Sequence, residues 1–162
     1  MTTTQRIISD FRGEWVALSN FAPIPVTIFS QLEGREVTYS TGEHAFNAAK
    51  TVNLAERAAI LAAPTPGEAK RLGRRATLRP GWDEQIRYAA MRMVLEAKFT
   101  PGSRAGAVLL STGDATLVEG NRWHDQHWGD CRCGRAACSR SGANWLGALL
   151  MARRAELRGT VL

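Results

Sequence analysis

The pattern of β-forming and turn residues near the N-terminus predicts a small antiparallel sheet. Residues 26–29 and 35–39 are rich in strand-forming side chains, and they flank Glu33-Gly34, a typical hairpin turn. Residues 6–11 form a further short strand candidate, and the segment 11–21 continues toward Pro23. We therefore expect one antiparallel sheet within residues 6–39.

Apolar positions recur at helical spacing along most of the remaining chain. This pattern predicts helices that begin near residue 40 and that cover residues 54–63, 66–75, 84–99, 104–110 and 143–158. The core-facing positions expected in the fourth of these helices are Ile86, Ala89, Ala90, Met93, Val94 and Ala97. A buried strand is predicted at residues 115–119. The fold class is therefore α+β, a mainly helical single domain over residues 1–162 with a small N-terminal antiparallel sheet.

The helix predicted near residue 40 carries an unusual polar face. Ser40 as N-cap and Glu43 three residues later match a capping box. Helical spacing then puts Glu43, Phe46, Asn47 and Lys50 on one face. Glu43 and Lys50 lie two turns apart, about 10 Å along the axis, which leaves room for a sugar phosphate. The alternative is that Glu43 only caps the helix and that Lys50 only contacts solvent.

Length and composition fit one globular domain with a sizeable core. The chain has 162 residues, of which 44% are apolar and 22% are charged. No apolar run approaches the roughly 18 residues that span a bilayer, and the N-terminal residues lack a signal-peptide core. An odd number of cysteines, three, argues against a disulfide framework. We expect a cytoplasmic protein with no membrane partner.

The net charge of +6 comes mostly from arginine, since only three of the 21 cationic residues are lysines. Arginine binds phosphate through a planar fork of donors, so this excess suits nucleotide or nucleic-acid ligands. A coding bias is the alternative, because alanine is abundant as well. Among so few lysines, Lys50 is a candidate nucleophile, since only lysine can usefully lose its proton.

Residues 120–130 form a dense polar and aromatic segment that contains two of the three histidines and two of the five tryptophans. This density favours a functional site over an ordinary loop. All three cysteines follow at once, in a spacing that could supply zinc ligands but lacks the usual C-x2-C pair. The sequence therefore predicts neither a metal nor a cofactor. It keeps one alternative zinc set: His124, His127, Cys131, Cys133 and Cys138.

Six short motifs occur along the chain in an order that resembles a known family. They are G-E…L-S-N-F at 13–21, E-H-x-F-x-x-x-K at 43–50, R-x-G-R at 71–74, P-x-W at 80–82, W-G-D at 128–130 and N-x-L-G-x-L-L-M at 144–151. Each is weak alone, but together they resemble the NADAR family of YbiA-like N-glycosidases over nearly the whole chain. Asn47 departs from the family, in which glutamine is common, and the cysteine loop differs from the shorter family form.

The resemblance implies hydrolysis of an N-glycosidic bond to ribose. The expected reaction removes ADP-ribose from guanine in nucleic acid and so reverses a DNA-modifying toxin, which would be a functional partner. One alternative substrate is a ribosylamino-pyrimidine phosphate of riboflavin synthesis. A second alternative is a module that binds ADP-ribose or NAD without turnover, and a third is a zinc-stabilised nucleic-acid-binding protein.

The chemistry of such a hydrolysis assigns roles to the matched residues. Glu43 and Asp130 are the candidate pair for stabilising an oxocarbenium-like state and protonating the leaving base. Lys50 could instead attack the anomeric carbon and form a Schiff base. We expect these three residues to converge on one pocket with the substrate-binding residues. Those are Asn20, Phe21, His44, Phe46, Asn47, Arg71, Arg74, Trp82, Trp128 and Gly129.

Overall fold

The computed structural model describes residues 6–160, and it confirms the α+β class. The chain divides into two compact units. The central unit is Asn20–Lys98, and the terminal unit combines the chain before Asn20 with the chain after Lys98. That the whole chain forms a single domain stays a prediction. Among the described residues, no helix is long and apolar enough to cross a membrane.

The central unit begins with the predicted hairpin. Strands β2 (Val26–Ser30) and β3 (Arg35–Tyr39) pair antiparallel, from Val26 opposite Tyr39 to Ser30 opposite Arg35. Gly34 turns the chain with a φ of 64°, and its N–H donates to the carbonyl of Ser30 at 2.8 Å. A positive φ favours glycine, so the hairpin signal at Glu33-Gly34 is confirmed.

Four helices complete the central unit. They are α1 (Gly42–Ala48), α2 (Leu54–Leu61), α3 (Pro66–Gly73) and α4 (Arg87–Lys98), and a π-helical turn at Trp82–Ile86 precedes α4. Helix α1 packs against the other three, and every residue of α1 is buried. A Cβ at Gly73 would lie 2.1 Å from Oδ1 of Asn47, so α3 approaches α1 where only glycine fits.

Two details of these helices differ from the prediction. The N-cap of α1 is Thr41, whose hydroxyl accepts a hydrogen bond from the N–H of His44, so Ser40 does not cap the helix. In α4 the core-facing residues are Ala90, Met91, Val94, Leu95 and Lys98. Met93 and Ala89 are exposed instead. The predicted stripe was continued from Ile86, which belongs to the wider π turn and does not share the phase of α4.

The terminal unit holds a 3-10 helix at Gly13–Leu18, helices α5 (Arg104–Ser111) and α6 (Trp145–Thr160), and two short parallel pairs. Strand β1 (Ile7–Ile8) pairs with β4 (Thr116–Leu117), and β5 (Gly120–Asn121) pairs with β6 (Asp130–Cys131). The prediction that the first strand joins the hairpin is wrong. Gly13, with a φ of 56°, begins the 3-10 helix, so residues 11–21 do not extend a strand.

Helix α6 is anchored by the residues of the last sequence motif. The side chain of Asn144 donates to the carbonyl of Leu117 and accepts from the N–H of Glu119, both at 2.9 Å. A Cβ at Gly147 would lie 2.2 Å from that same Leu117 carbonyl. Buried Arg154 donates to the carbonyl of Ala115 at 2.9 Å. These contacts explain the N-x-L-G motif by packing and backbone hydrogen bonds.

Candidate active site

Helix α1 holds the carboxylate of Glu43 in a fixed and nearly buried position. The side chain is 8% exposed, and its Oε1 accepts a hydrogen bond from Nδ2 of Asn47 at 3.0 Å. The backbone N–H of Glu43 donates to the carbonyl of Asn20 at 3.0 Å. A capping box pairs the N-cap with the third helical residue, which here is His44. Glu43 is the second, so the capping alternative does not describe it.

Lys50 follows α1 directly, and its ammonium lies 5.6 Å from the ring centroid of Phe46. Burial lowers the pKa of Lys50 below the usual lysine range, and the positive charges of Lys70 and Arg74 lower it further. The negative charge of Glu43 opposes this shift. Glu43, Lys70 and Arg74 are thus the charges that act on the Lys50 amine. Glu43 is thus close enough to act electrostatically on the Lys50 amine, and the catalytic roles of both residues stay predictions.

On the basic side of this face, Arg71 pairs with an acid at the surface, whereas Lys70 lies beside an aromatic ring. Arg71 bonds the carboxylate of Glu68 on the surface through Nε, at 2.8 Å, and through Nη2. Lys70 instead lies with its ammonium 5.6 Å from the ring centroid of Phe21. Lys70 was missed as a site residue, although its i,i+4 spacing to Arg74 indicates a shared helix face. A role for Arg71 in substrate binding stays a prediction.

Two aromatic rings support the site and a third is open to solvent. The centroids of Phe46 and Trp82 lie 5.4 Å apart at an interplanar angle of 50°, and both side chains are buried. Trp82 is the first residue of the π turn, a feature that is frequent at functional sites. Phe21 is 43% exposed beside Lys70. Of these three rings, Phe21 is therefore the one that a flat base can reach most easily.

His44 and Asn20 have structural partners that sequence reasoning did not anticipate. His44 is 1% exposed, with Nε2 at 3.0 Å from the carbonyl of Ala63 and Nδ1 at 2.8 Å from the hydroxyl of Thr41. Because a carbonyl only accepts, Nε2 carries the hydrogen and Nδ1 accepts from Thr41. The amide of Asn20 donates to the sulfur of Met91 at 3.2 Å. Substrate contacts by His44 and Asn20 stay predictions.

In the terminal unit, the side chain of Asp125 holds the segment that contains Trp128 in a turn. Oδ1 of Asp125 accepts hydrogen bonds from the N–H groups of His127, at 3.0 Å, and Trp128, at 2.8 Å. The rings of His127 and Trp128 pack edge to face, with their centroids 5.1 Å apart. Gly129 has no room for a side chain, since a Cβ there would lie 2.1 Å from the carbonyl of Glu119.

The carboxylate of Asp130 connects β6 to the segment before α6. Oδ1 accepts from the N–H of Gly142 at 2.8 Å, and Oδ2 lies 3.3 Å from Nε of Arg132. These contacts give Asp130 a structural function within its own unit. Its catalytic role, and its convergence with Glu43 on one pocket, stay predictions.

Four of the five residues in the alternative zinc set lie together in the terminal unit. The ligand atoms of His124, Cys131, Cys133 and Cys138 are all within 4.8 Å of one another, and His127 is not among them. All three cysteines are free thiols. Within residues 6–160, this cluster offers the thiol and imidazole ligands that suit a soft metal ion.

A cavity of about 370 Å³ in the central unit opens on a different side of α1. Ala45 and Ala49 line it, together with Arg57, Arg79 and Met93. The predicted polar face of α1 does not contribute to this cavity. The candidate site is therefore the face of α1 that carries Glu43 and Lys50, and not the face that lines this cavity.

The chain belongs to the NADAR domain family, whose model matches residues 10–158. It is 37% identical over 151 residues to N-glycosidase YbiA of Escherichia coli, covering 92% of this chain and 84% of that relative. It is also 38% identical to N-glycosidase Npun_R5314 of Nostoc punctiforme, covering 86% of this chain and 84% of the relative.

Two further comparisons extend this result. The chain is 34% identical to "Riboflavin biosynthesis protein PYRR, chloroplastic" of Zea mays over 90% of its length, although it spans only 24% of that protein. An NMR structure of the E. coli protein YbiA superposes with a TM-score of 0.74 at 32% identity, covering 97% of this chain and 90% of that one. The predicted family and the predicted enzyme class, a glycosidase, are confirmed.

Proposed function

We propose that the protein hydrolyses the N-glycosidic bond between a phosphorylated ribose and its base, with the reaction centred on Glu43 and Lys50. The observation that carries this proposal is the Glu43 carboxylate, held by Asn47 beside the lowered-pKa amine of Lys50. A module that only binds its ligand has no need of an oriented acid next to an activated amine.

Cleavage of an N-glycoside develops positive charge on the anomeric carbon and the ring oxygen. In the proposed mechanism, the ionised carboxylate of Glu43 stabilises this charge. The leaving nitrogen of the base takes up a proton from solvent. Water then adds to the anomeric carbon and returns one proton to solvent, so the net reaction consumes one water. The hydrogen bond from Asn47 keeps the carboxylate in place for this role, since it fixes the side-chain rotamer.

Lys50 offers a covalent alternative within the same site. Its neutral amine would attack the anomeric carbon while the bond to the base breaks and the base takes up a proton. Opening of the ribose ring then gives an iminium, and water hydrolyses it to release the sugar and restore the amine. The lowered pKa of Lys50 favours this route, because it increases the fraction of neutral amine.

The neighbours of Lys50 suit the phosphate and the base. Lys70 and Arg74 are the cations that act on Lys50, and they would bind the phosphate of the substrate. Phe21 is half-exposed next to Lys70, so a heterocycle bound there could stack on its ring.

Two substrates fit this chemistry. The name of the maize relative refers to riboflavin biosynthesis, which supports a ribosylamino-pyrimidine phosphate as the first candidate. The second is ADP-ribosylated guanine in nucleic acid, with an ADP-ribosylating toxin as the functional partner. The net charge of +6 favours this polyanionic substrate.

Parallel assays would separate these candidates. Purified protein would be incubated with the ribosylamino-pyrimidine phosphate, with ADP-ribosylated DNA and with NAD, and the released sugar would be measured by mass spectrometry. We expect release of ribose phosphate or ADP-ribose, with one kcat/KM far above the others, and a large loss in Glu43→Gln. Tight binding of ADP-ribose with no release from any substrate would instead identify a binding module.

A further inference from the structure

Three thiols and one imidazole converge in the terminal unit at a distance that fits a metal ion. Nδ1 of His124 lies 3.4 Å from the sulfur atoms of both Cys133 and Cys138. The sulfur of Cys131 completes a group in which every ligand atom is within 4.8 Å of the others. These three residues are all the cysteines of the chain.

The spacing of these atoms matches tetrahedral zinc. Zinc–sulfur bonds of about 2.3 Å and zinc–nitrogen bonds of about 2.0–2.1 Å place nitrogen about 3.6 Å from sulfur, and sulfur atoms about 3.8 Å apart. The observed nitrogen–sulfur distances of 3.4 Å agree with this geometry. An ion therefore requires only small movements of the four side chains.

The loop that carries two of the cysteines has no hydrophobic core of its own. None of the residues 132–144 is buried, and the segment contains only a three-residue 3-10 turn, Ala136–Cys138. Such a segment buries too little apolar surface to offset the loss of chain entropy on ordering. Structural zinc supplies this free energy directly in small metal-stabilised folds.

The backbone selects His124 rather than His127 as the fourth ligand. His124 has a φ of 69°, in the left-handed region, and its ring nitrogen lies between the two sulfur atoms. His127 packs its ring edge to face against Trp128 and does not join the group. The ligand pattern is therefore H-x6-C-x-C-x4-C.

We propose that His124, Cys131, Cys133 and Cys138 bind one structural zinc ion. The ion would join the end of β6, at Cys131, to His124 and to the loop before α6. His124 and Cys131 would bracket the segment that contains Trp128 and Gly129. The metal therefore orders the residues that the family resemblance assigns to substrate binding. This revises the expectation from sequence that no metal is bound.

The direct test is metal analysis of the full-length protein, purified without a metal-affinity tag and kept reduced. Inductively coupled plasma mass spectrometry should find about one zinc per chain. Cys138→Ser and Cys133→Ser should each reduce this content at least tenfold. His127→Ala is the matched control and should retain full zinc, because its ring is outside the group.

Cobalt substitution provides a readout that does not depend on the variants folding. Chelated wild-type protein titrated with Co2+ should show tetrahedral d–d bands and a thiolate-to-cobalt charge-transfer band that saturate at one equivalent. Addition of zinc should bleach both. Chelation should also lower the melting temperature, and added zinc should restore it.

The contrary outcomes are equally specific. Less than about a tenth of an equivalent of zinc, together with no cobalt spectrum in reduced protein, would overturn the proposal. So would unchanged zinc content in Cys138→Ser. A disulfide between two of the cysteines is the competing explanation, and thiol titration of denatured, unreduced protein tests it. Three reactive thiols after metal removal support the zinc site, and a single thiol contradicts it.

Discussion

Asn47 and Glu43 form a side-chain pair within one turn of a fully buried helix. The amide of Asn47 donates both to the Glu43 carboxylate at 3.0 Å and to the Glu43 backbone carbonyl at 2.9 Å. Helical i,i+4 spacing brings the two together, and Gly73 leaves Asn47 the space it occupies. The acid of the candidate site is thereby held in one orientation, whatever else binds.

Asn47→Asp tests whether the hydrogen bond that orients Glu43 is needed, because it removes the donor and keeps the shape of the side chain. The new side chain is nearly isosteric but cannot donate when ionised, and its charge repels Glu43 and raises the pKa of that carboxyl. We expect turnover at neutral pH to fall by roughly tenfold or more. Asn53→Asp is the control, because Asn53 is the exposed N-cap of α2 and aspartate caps equally well. If kcat/KM is equal in Asn47→Asp and Asn53→Asp, Asn47 does not orient the catalytic acid.

Glu43→Gln should leave the fold intact and abolish most of the chemistry. The glutamine carbonyl can still accept from Asn47, but an amide neither carries charge nor takes up a proton at neutral pH. We expect turnover to fall on the order of a hundredfold or more, with melting temperature and ligand affinity close to wild type. Glu68→Gln, an exposed partner of Arg71, is the matched control. An active Glu43→Gln enzyme would pass the catalytic role to Lys50 and Asp130.

Lys50→Arg tests the amine as a nucleophile. Arginine keeps the positive charge but does not lose its proton, so substrate binding should persist while turnover through a Schiff base stops. Borohydride added during turnover should trap the sugar on wild-type protein and not on Lys50→Arg, as measured by intact mass. Wild-type rates in the variant, with no trapped adduct in either protein, would leave the carboxylate as the catalyst.

The pH dependence of the covalent route follows from the surroundings of Lys50. Its pKa is lowered, so the neutral, reactive amine accumulates at lower pH than the usual lysine value of about 10.4. Turnover should rise with pH and level off below that value. Removing the nearby charge in Lys70→Gln should move this inflection upward, since Lys70 lowers the Lys50 pKa. If turnover has its inflection at the same pH in Lys70→Gln and in wild type, the inflection belongs to a group other than Lys50.

Lys70 and Arg71 are adjacent in sequence but are expected to differ in substrate binding. Lys70→Gln removes a cation beside Phe21 and Lys50, and should raise KM about tenfold, the usual effect of losing one charged phosphate contact. Arg71→Gln breaks only an exposed pair with Glu68 and should change KM by less than about twofold. A larger rise in KM in Arg71→Gln would instead support the substrate-binding role that the R-x-G-R motif predicts for Arg71.

Gly73→Ala should destabilise the central unit. The added methyl group would lie 2.1 Å from Oδ1 of Asn47, which forces α3 and α1 apart and costs about 1–3 kcal/mol of unfolding free energy. Thermal denaturation should show a fall of several degrees. Gly67→Ala in the same helix is the control, since the nearest atom to its Cβ would be 3.9 Å away. A lower melting temperature in the control alone would contradict this packing.

Local signals in the sequence were sufficient for the hairpin and for the positions of the six α-helices. The turn at Gly34 and the cap at Thr65 act within four residues, so their chemistry is readable from the chain. The pairing of Ile8 with Leu117 was not readable, because both strands are two residues long and no local pattern links them. The partner of β1 is set by packing within the folded unit, which propensity does not contain.

The candidate site was predictable in its central face and not in its details. Helical spacing found Glu43, Asn47 and Lys50, because side chains four residues apart share a face. The same reasoning did not show that the ring of His44 is buried against Thr41 and Ala63. Nor did it separate Lys70 from Arg71, since only the structure shows that Glu68 binds the arginine.

The parallel pairing of β1 with β4 affects how the protein is made on the ribosome. Ile7 and Ile8 are synthesised first, but their partners, Thr116 and Leu117, follow more than a hundred residues later. At about 5–20 residues per second, the first strand waits roughly 5–20 seconds for its pairing edge. During that wait the whole central unit is synthesised, while the apolar edge of β1 has no strand to pair with.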